Sequence, residues 1–247
     1  MAFQVIRHAL LMIFGNIGPA LRASVGPLLI WFGFFMVLAT VSFAAGGRGS
    51  GPATTIFWLL VAVASLFVFS WVAVTWHRFI LLEEYPGRVP RLRMAVILPY
   101  VQTLFLLACI LIAAAFLLIL LLRPIVPVFG VSGLLLTQFI VAIIPCFLFF
   151  RFGMALPAIA IGGTIRLQDS WHATRAASQS LWGVSALLVT LNLLIGLWSS
   201  IPLTPTMGNQ IFQMVFTVGL NWLTIMLSIC VLTTFYGHLI EKRPLIG

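Results

Sequence analysis

Residues 95–122 read AVILPYVQTLFLLACILIAAAFLLILLL, a run that holds no Asp, Glu, Lys, Arg or His. A helix of about 20 apolar residues already crosses a hydrocarbon core of ~30 Å, so this stretch reads as a membrane span. Working outward, runs of the same kind occupy about 26–45, 54–77, 131–151, 183–200 and 211–237. Together they predict an all-α polytopic membrane protein with six transmembrane helices. Composition leads to the same place: of 247 residues, 62% are hydrophobic and 7% charged, with a mean hydropathy of +1.20. Soluble domains carry ~25% charged residues, and this chain lacks the polar surface to coat a globule in water. A cytosolic enzyme, a secreted disulfide scaffold and a disordered tail are excluded. Six spans and their connections use up residues 1–247 as a single integral membrane domain, with no room for a soluble catalytic domain.

The net charge of +9 comes from 13 basic residues against four acids. No basic stretch is interleaved with base-stacking aromatics, so nucleic acid is not the expected partner. The cations are instead sorted by side. With six spans, Arg7, Arg22, Arg78, Arg88, Arg91, Arg93, Arg151, Arg166, Arg175, Lys242 and Arg243 fall on one face, and only Arg48 and Arg123 on the other. The positive-inside rule then predicts that both termini are cytoplasmic, in a bacterial inner membrane. All four acids, Glu83, Glu84, Asp169 and Glu241, and all four histidines, His8, His77, His172 and His238, share the cation-rich side.

Two amphipathic segments flank this scheme. Residues 3–17 place Phe3, Ile6, Leu10, Ile13, Phe14 and Ile17 at helical spacing, which predicts an interfacial helix. Arg7 ahead of Ala9 to Phe14 faintly resembles a signal peptide, but without a persuasive cleavage site the segment reads as mature protein. Gly18-Pro19 and the residues to Ser24 are expected to break the helix before the first span, and residues 46–52, 123–127 and 202–205 to form turns. Residues 166–182 set Leu167, Trp171, Thr174, Ser178 and Trp182 on one side and Gln168, His172, Arg175 and Gln179 on the other. A second interfacial helix between spans four and five follows, capped by Asp169 or Ser170.

Arg151 is the anomaly. Apolar residues continue past it to Ile161, so Val131–Ile161 would make about 46 Å of helix, more than lipid can cover. Either Arg151 marks the interface and the helix projects beyond the membrane, kinked at Pro157, or the span slides inward and buries Arg151 near mid-bilayer. The interface is the expected place, because snorkelling there costs much less than burial.

Chemistry-bearing patterns are sparse. Cys109, Cys146 and Cys230 lie singly in apolar runs, and no zinc, P-loop or nucleophile-elbow motif is present, so no catalytic residue, metal or cofactor is assigned. A cytoplasmic-face enzyme would need His77, Glu83, Glu84, Asp169 and His172 to converge. A transporter or pore would rely on Gln102, Gln138, Asn192 and Asn221, which interhelical hydrogen bonding also explains. The function expected is non-enzymatic: a lipid-associated scaffold or accessory protein whose Arg78, Arg88, Arg91, Arg93, Arg151, Arg166 and Arg175 contact anionic headgroups, with membrane lipids and a membrane protein as partners.

The pattern from Arg151 to Ala160, RFGMALPAIA, followed by Leu167 to Arg175, LQDSWHATR, resembles bacterial six-span proteins of the glycerophosphoryl diester phosphodiesterase membrane-domain type. In that family a long fourth helix ends in an apolar Pro-containing stretch, and a short Ser-Trp-x-x-Thr-Arg-like helix precedes span five. The family's namesakes continue into a soluble phosphodiesterase barrel, which these residues do not include. The resemblance therefore implies the membrane fold and no hydrolase activity.

Overall fold

A computed structural model describes residues 1–44, 51–201 and 206–244. The expected turn residues Gly46 to Ser50, with Arg48, and the Pro202–Pro205 connection lie outside the described residues. The chain is all-α, with no strand among the described residues. Its helices are α1 (Ala2–Gly15), α2 (Ile17–Ala44), α3 (Pro52–Leu82), α4 (Met94–Leu122), α5 (Ile125–Phe152), α6 (Ala155–Ala160), α7 (Leu167–Ala173), α8 (Ser178–Ser200) and α9 (Met207–Leu239), with a 3₁₀ turn at Arg175–Ala177. Six of them, α2, α3, α4, α5, α8 and α9, are long and apolar enough to cross a membrane.

The prolines explain where the helix ends depart from expectation. Pro19, Pro52, Pro127 and Pro157 all fall within the first three residues of a helix, in α2, α3, α5 and α6. The N–H groups of a first turn have no partner inside the helix, so a residue lacking that N–H starts a helix at no cost there. Gly18 to Ser24 is therefore the opening of α2, and not a break. Residues 125–127 begin α5, leaving only Arg123-Pro124 between spans three and four. Pro157 opens α6, and the long fourth helix is interrupted earlier, at Gly153-Met154. Pro27, Pro99 and Pro145 do lie inside helices. A sharper irregularity sits at Gly130, whose φ of 57° and ψ of −131° are accessible only to glycine.

Two compact units make up the chain. One comprises Asn16–Leu106 with Leu156–Thr164. In it α2 and α3 pair: the Trp31 indole donates to Ser65 Oγ at 3.0 Å, with Phe35 and Phe69 packed around the ring. The other comprises Met1–Gly15, Leu107–Ala155 and Ile165–Gly247. There α1 packs on α8 and α9. Its buried stripe is Val5, Ala9 and Ile13, while Phe3, Leu11 and Phe14 stay exposed. That register differs from the Phe3-Ile6-Leu10 stripe expected from the sequence. At the start of α1 the approach is close: a Cβ on Gly183 of α8 would come within 2.7 Å of Ala2 Cβ.

Burial is uneven along the helices. The buried residues of α3 run from Val68 to Leu81 and those of α9 from Thr224 to Gly237, whereas the other halves expose large apolar side chains such as Trp58, Val63, Phe212 and Val218. Exposed apolar surface on this scale is what lipid-facing helices present. The protein core of each helix sits at the end that carries its cations and histidines.

Candidate functional site

In the first unit, the end of α3 and the loop after it are built around Glu84. Glu83, the C-cap of α3, adopts a left-handed conformation at φ 55°, and the Glu84 N–H returns to Arg78 O at 3.3 Å. This turn places the Glu84 carboxylate over Arg78. Arg78 grips it with two donors, Nη2 at 2.6 Å and Nε at 3.0 Å, and Arg93 Nη2 adds a third bond at 2.8 Å. Arg78's remaining Nη1 donates to Ala160 O at 2.7 Å and so caps the C-terminus of α6. Its hydrogen bonds hold the Glu84 carboxyl below the usual carboxylate range against the opposing effect of burial, and the charges of Arg78, Arg93 and Arg91 add to this. A cavity of about 430 Å³ opens beside the pair, lined in part by Thr75, Arg78, Glu84, Tyr85, Arg91 and Arg93. Its three arginines face a single carboxylate.

The loop is held there by its prolines. Pro86 and Pro90 are buried, and a Cβ on Gly26 of α2 would sit 3.8 Å from Arg88 O and 3.9 Å from Pro90 Cδ. Arg88, Arg91 and Arg93 are exposed, while Arg78, with its donors committed inside the protein, is not. His77, one residue earlier, is fully enclosed and lies 3.2 Å from the Tyr100 hydroxyl.

The second unit contains Arg151, which lies in the last turn of α5, just ahead of the break in the helix. The side chain is 4% exposed, covered by protein at the end of α5. The guanidinium lies 4.1 Å from the Trp171 ring and 5.9 Å from that of Phe147. Phe152 packs on Trp171, and Trp182 stacks on Phe147 at 4.1 Å and 9°. The break at Gly153-Met154 creates the docking point. A helix interrupted there leaves the Arg151 carbonyl and the Met154 amide without helical partners. Ser170 of α7 takes both: its Oγ donates to Arg151 O at 2.7 Å and accepts from Met154 N at 3.2 Å. Thr174, one turn on, sets its hydroxyl 2.8 Å from Ser170 O and 3.3 Å from Arg151 O.

The Ser-Trp-x-x-Thr-Arg pattern thus has a physical account. Ser170 and Thr174 share the buried face at i, i+4; Trp171 covers the guanidinium; Arg175 stays exposed and near enough to Arg151 to act on it electrostatically. Of the two expected caps of α7, Asp169 is the one used, accepting from Arg166 N at 3.3 Å, while Ser170 serves the break in α5. One expectation is corrected: 166–182 is not a single helix, since α7 ends at Ala173 and α8 starts at Ser178. Arg166 is exposed at the start of α7. Phe147 escaped the sequence reading, as did the role of Ser170 at the break, for which the 170/174 hydroxyl spacing was the available signal.

The residues required by other readings are engaged elsewhere. Asn192 and Asn221 each donate to the carbonyl four residues earlier on their own helix, at 2.9 and 2.8 Å, and not across helices. Asn192 also borders an apolar cavity of about 340 Å³ with Cys146, Phe149 and Ser228. Gln213 reaches the last carbonyls of α8, Ile201 O at 3.0 Å among them. His172 is exposed, and among the described residues no group of three or more His, Cys, Asp or Glu is placed to hold a metal ion. No protein-family model matches the chain, and neither does any curated protein or solved structure.

Proposed function

We propose that this chain is a multi-pass protein of the bacterial inner membrane, both termini cytoplasmic, that acts without catalysis as a lipid-associated scaffold or accessory protein. Its exposed arginines contact anionic headgroups at the cytoplasmic face, and a membrane protein is its further partner. The observation that carries this reading is the cavity beside Glu84, where three arginines meet one carboxylate and Arg91 and Arg93 remain exposed. Arg78 serves by orienting Glu84, Arg88 extends the cationic rim, and Arg151, Arg166 and Arg175 supply the same chemistry in the other unit. Native mass spectrometry of the purified protein with phosphatidylglycerol, cardiolipin or phosphatidylcholine tests it. The reading requires a preference for the anionic lipids that falls about tenfold in the Arg88→Gln, Arg91→Gln, Arg93→Gln triple variant. Equal retention of anionic and zwitterionic lipid by the unaltered protein would sink it.

A second reading, passage or binding of an apolar small molecule, is favoured by the 340 Å³ cavity at Asn192. It requires that Asn192→Cys, in a background lacking the native cysteines, react with a water-soluble thiol reagent. A dry, unreactive position counts against it.

A further inference from the structure

The surroundings of Arg151 do not balance its charge. Its Nε and Nη1 are buried with no hydrogen-bond partner, and none of the ion pairs among the described residues includes it. Three of the four acids are engaged elsewhere: Glu84 with Arg78 and Arg93, Glu241 with Arg243, and Asp169 with the Arg166 amide; the fourth, Glu83, belongs to the other unit. The charge that acts on Arg151 is a second cation, Arg175. Stacking on Trp171 satisfies the faces of the guanidinium but not its edge N–H groups, which point sideways in the plane. Leaving such donors dry is costly, and a buried cation without a counter-ion more so.

We infer that Arg151 and Arg175 form a binding site for a phosphate oxyanion beneath Trp171. A planar guanidinium with Trp171 over one face and unpaired N–H donors along its edges has the donor set that the tetrahedral oxygens of a phosphate accept. The cover is one side chain deep: Trp171 is itself 36% exposed, so a change of its rotamer admits a ligand. The exposed Arg175 meets the anion from outside and turns the mutual repulsion of the two arginines into shared attraction. The inference deepens the headgroup reading and rests on it, since at a membrane edge the phosphate comes from a lipid; a free phosphate has the same chemistry.

The full chain in a neutral detergent is titrated with dihexanoyl phosphatidylglycerol, dihexanoyl phosphatidylcholine and inorganic phosphate, binding being followed by isothermal calorimetry. Phosphatidylglycerol is expected to bind more tightly than phosphatidylcholine; Arg151→Gln is expected to weaken phosphatidylglycerol binding at this site about tenfold while the share held by Arg88, Arg91 and Arg93 remains, and Arg175→Gln to weaken it about threefold. Competition by inorganic phosphate assigns the site to the phosphate group itself; binding of phosphatidylglycerol alone assigns it to the lipid. Arg175→Gln, on an exposed residue, keeps the test open should Arg151→Gln not fold. Affinity unchanged in both variants, or in Arg175→Gln where it alone folds, overturns the inference. A protein that still prefers anionic lipid through Arg88, Arg91 and Arg93 would then retain the headgroup reading, whereas loss of all anionic preference in the unaltered chain removes both.

Discussion

At the scale of single residues, the two sites differ in how charge is handled. Glu84 is a clamp: it accepts three bonds from two arginines and so draws the 83–93 loop onto the end of α3. Glu84→Gln is expected to speed amide exchange in that loop about three- to tenfold, read by hydrogen–deuterium exchange, because charge-assisted bonds become neutral ones. The pH dependence follows from the lowered carboxyl. A group depressed below its ordinary value of 4.5 holds its full contribution above that pH and loses it as the pH falls below. Loop exchange, corrected for its intrinsic pH dependence, should therefore be flat from pH 8 to about 5 and rise at lower pH. Ser170 works without charge, through a hydroxyl that satisfies one carbonyl and one amide at a helix break. Ser170→Ala leaves the Met154 amide unpaired and the Arg151 carbonyl with only the longer Thr174 contact, an expected loss of about 1–3 kcal/mol, visible as a lower Tm and as exchange in 167–175.

At the scale of elements, the interruption of α5 is a packing feature as much as a hydrogen-bonding one. A Cβ at Gly153 would lie 2.5 Å from Phe149 O and 2.9 Å from Leu232 Cδ1 of α9. The Leu232 side chain can turn aside but the Phe149 carbonyl cannot, so Gly153→Ala must distort the end of α5 and is expected to cost about 1–3 kcal/mol, measurable by thermal unfolding in detergent. The existence of the six long helices was legible because each is built on an apolar run with at most one arginine, and that toward a helix end, a pattern that burial in lipid or core rewards. Their ends were not legible, because a proline reads as a breaker until one knows whether its position falls in a first turn or in a helix interior. Pro157 and Pro27 illustrate the two cases: the first opens α6, the second lies inside α2. The Arg151 site was half legible. Arg151, Trp171 and Arg175 stand out by type, but Ser170 presented itself as a cap, since a serine near a helix start suits that role and its true partner lies 19 residues away.

At the scale of the whole molecule, the sorting of cations leads to a topology that labelling can check. In a background without native cysteines, Val128→Cys should react with a membrane-impermeant maleimide in intact cells, and Gly87→Cys only after lysis. The reverse pattern would invert the orientation and move the arginine-rich loop to the far side. The lopsided burial of α3 and α9 has a mechanical consequence. Each helix is clamped by protein over 68–81 or 224–237 and meets its solvent or lipid along the rest. A bilayer thicker or thinner than the span is accommodated by tilt or local adjustment at modest cost, and the unclamped halves are where such give resides. Variation in membrane thickness is then absorbed away from Arg78 and Arg151, whose geometry stays the same while the lipid around the free ends changes.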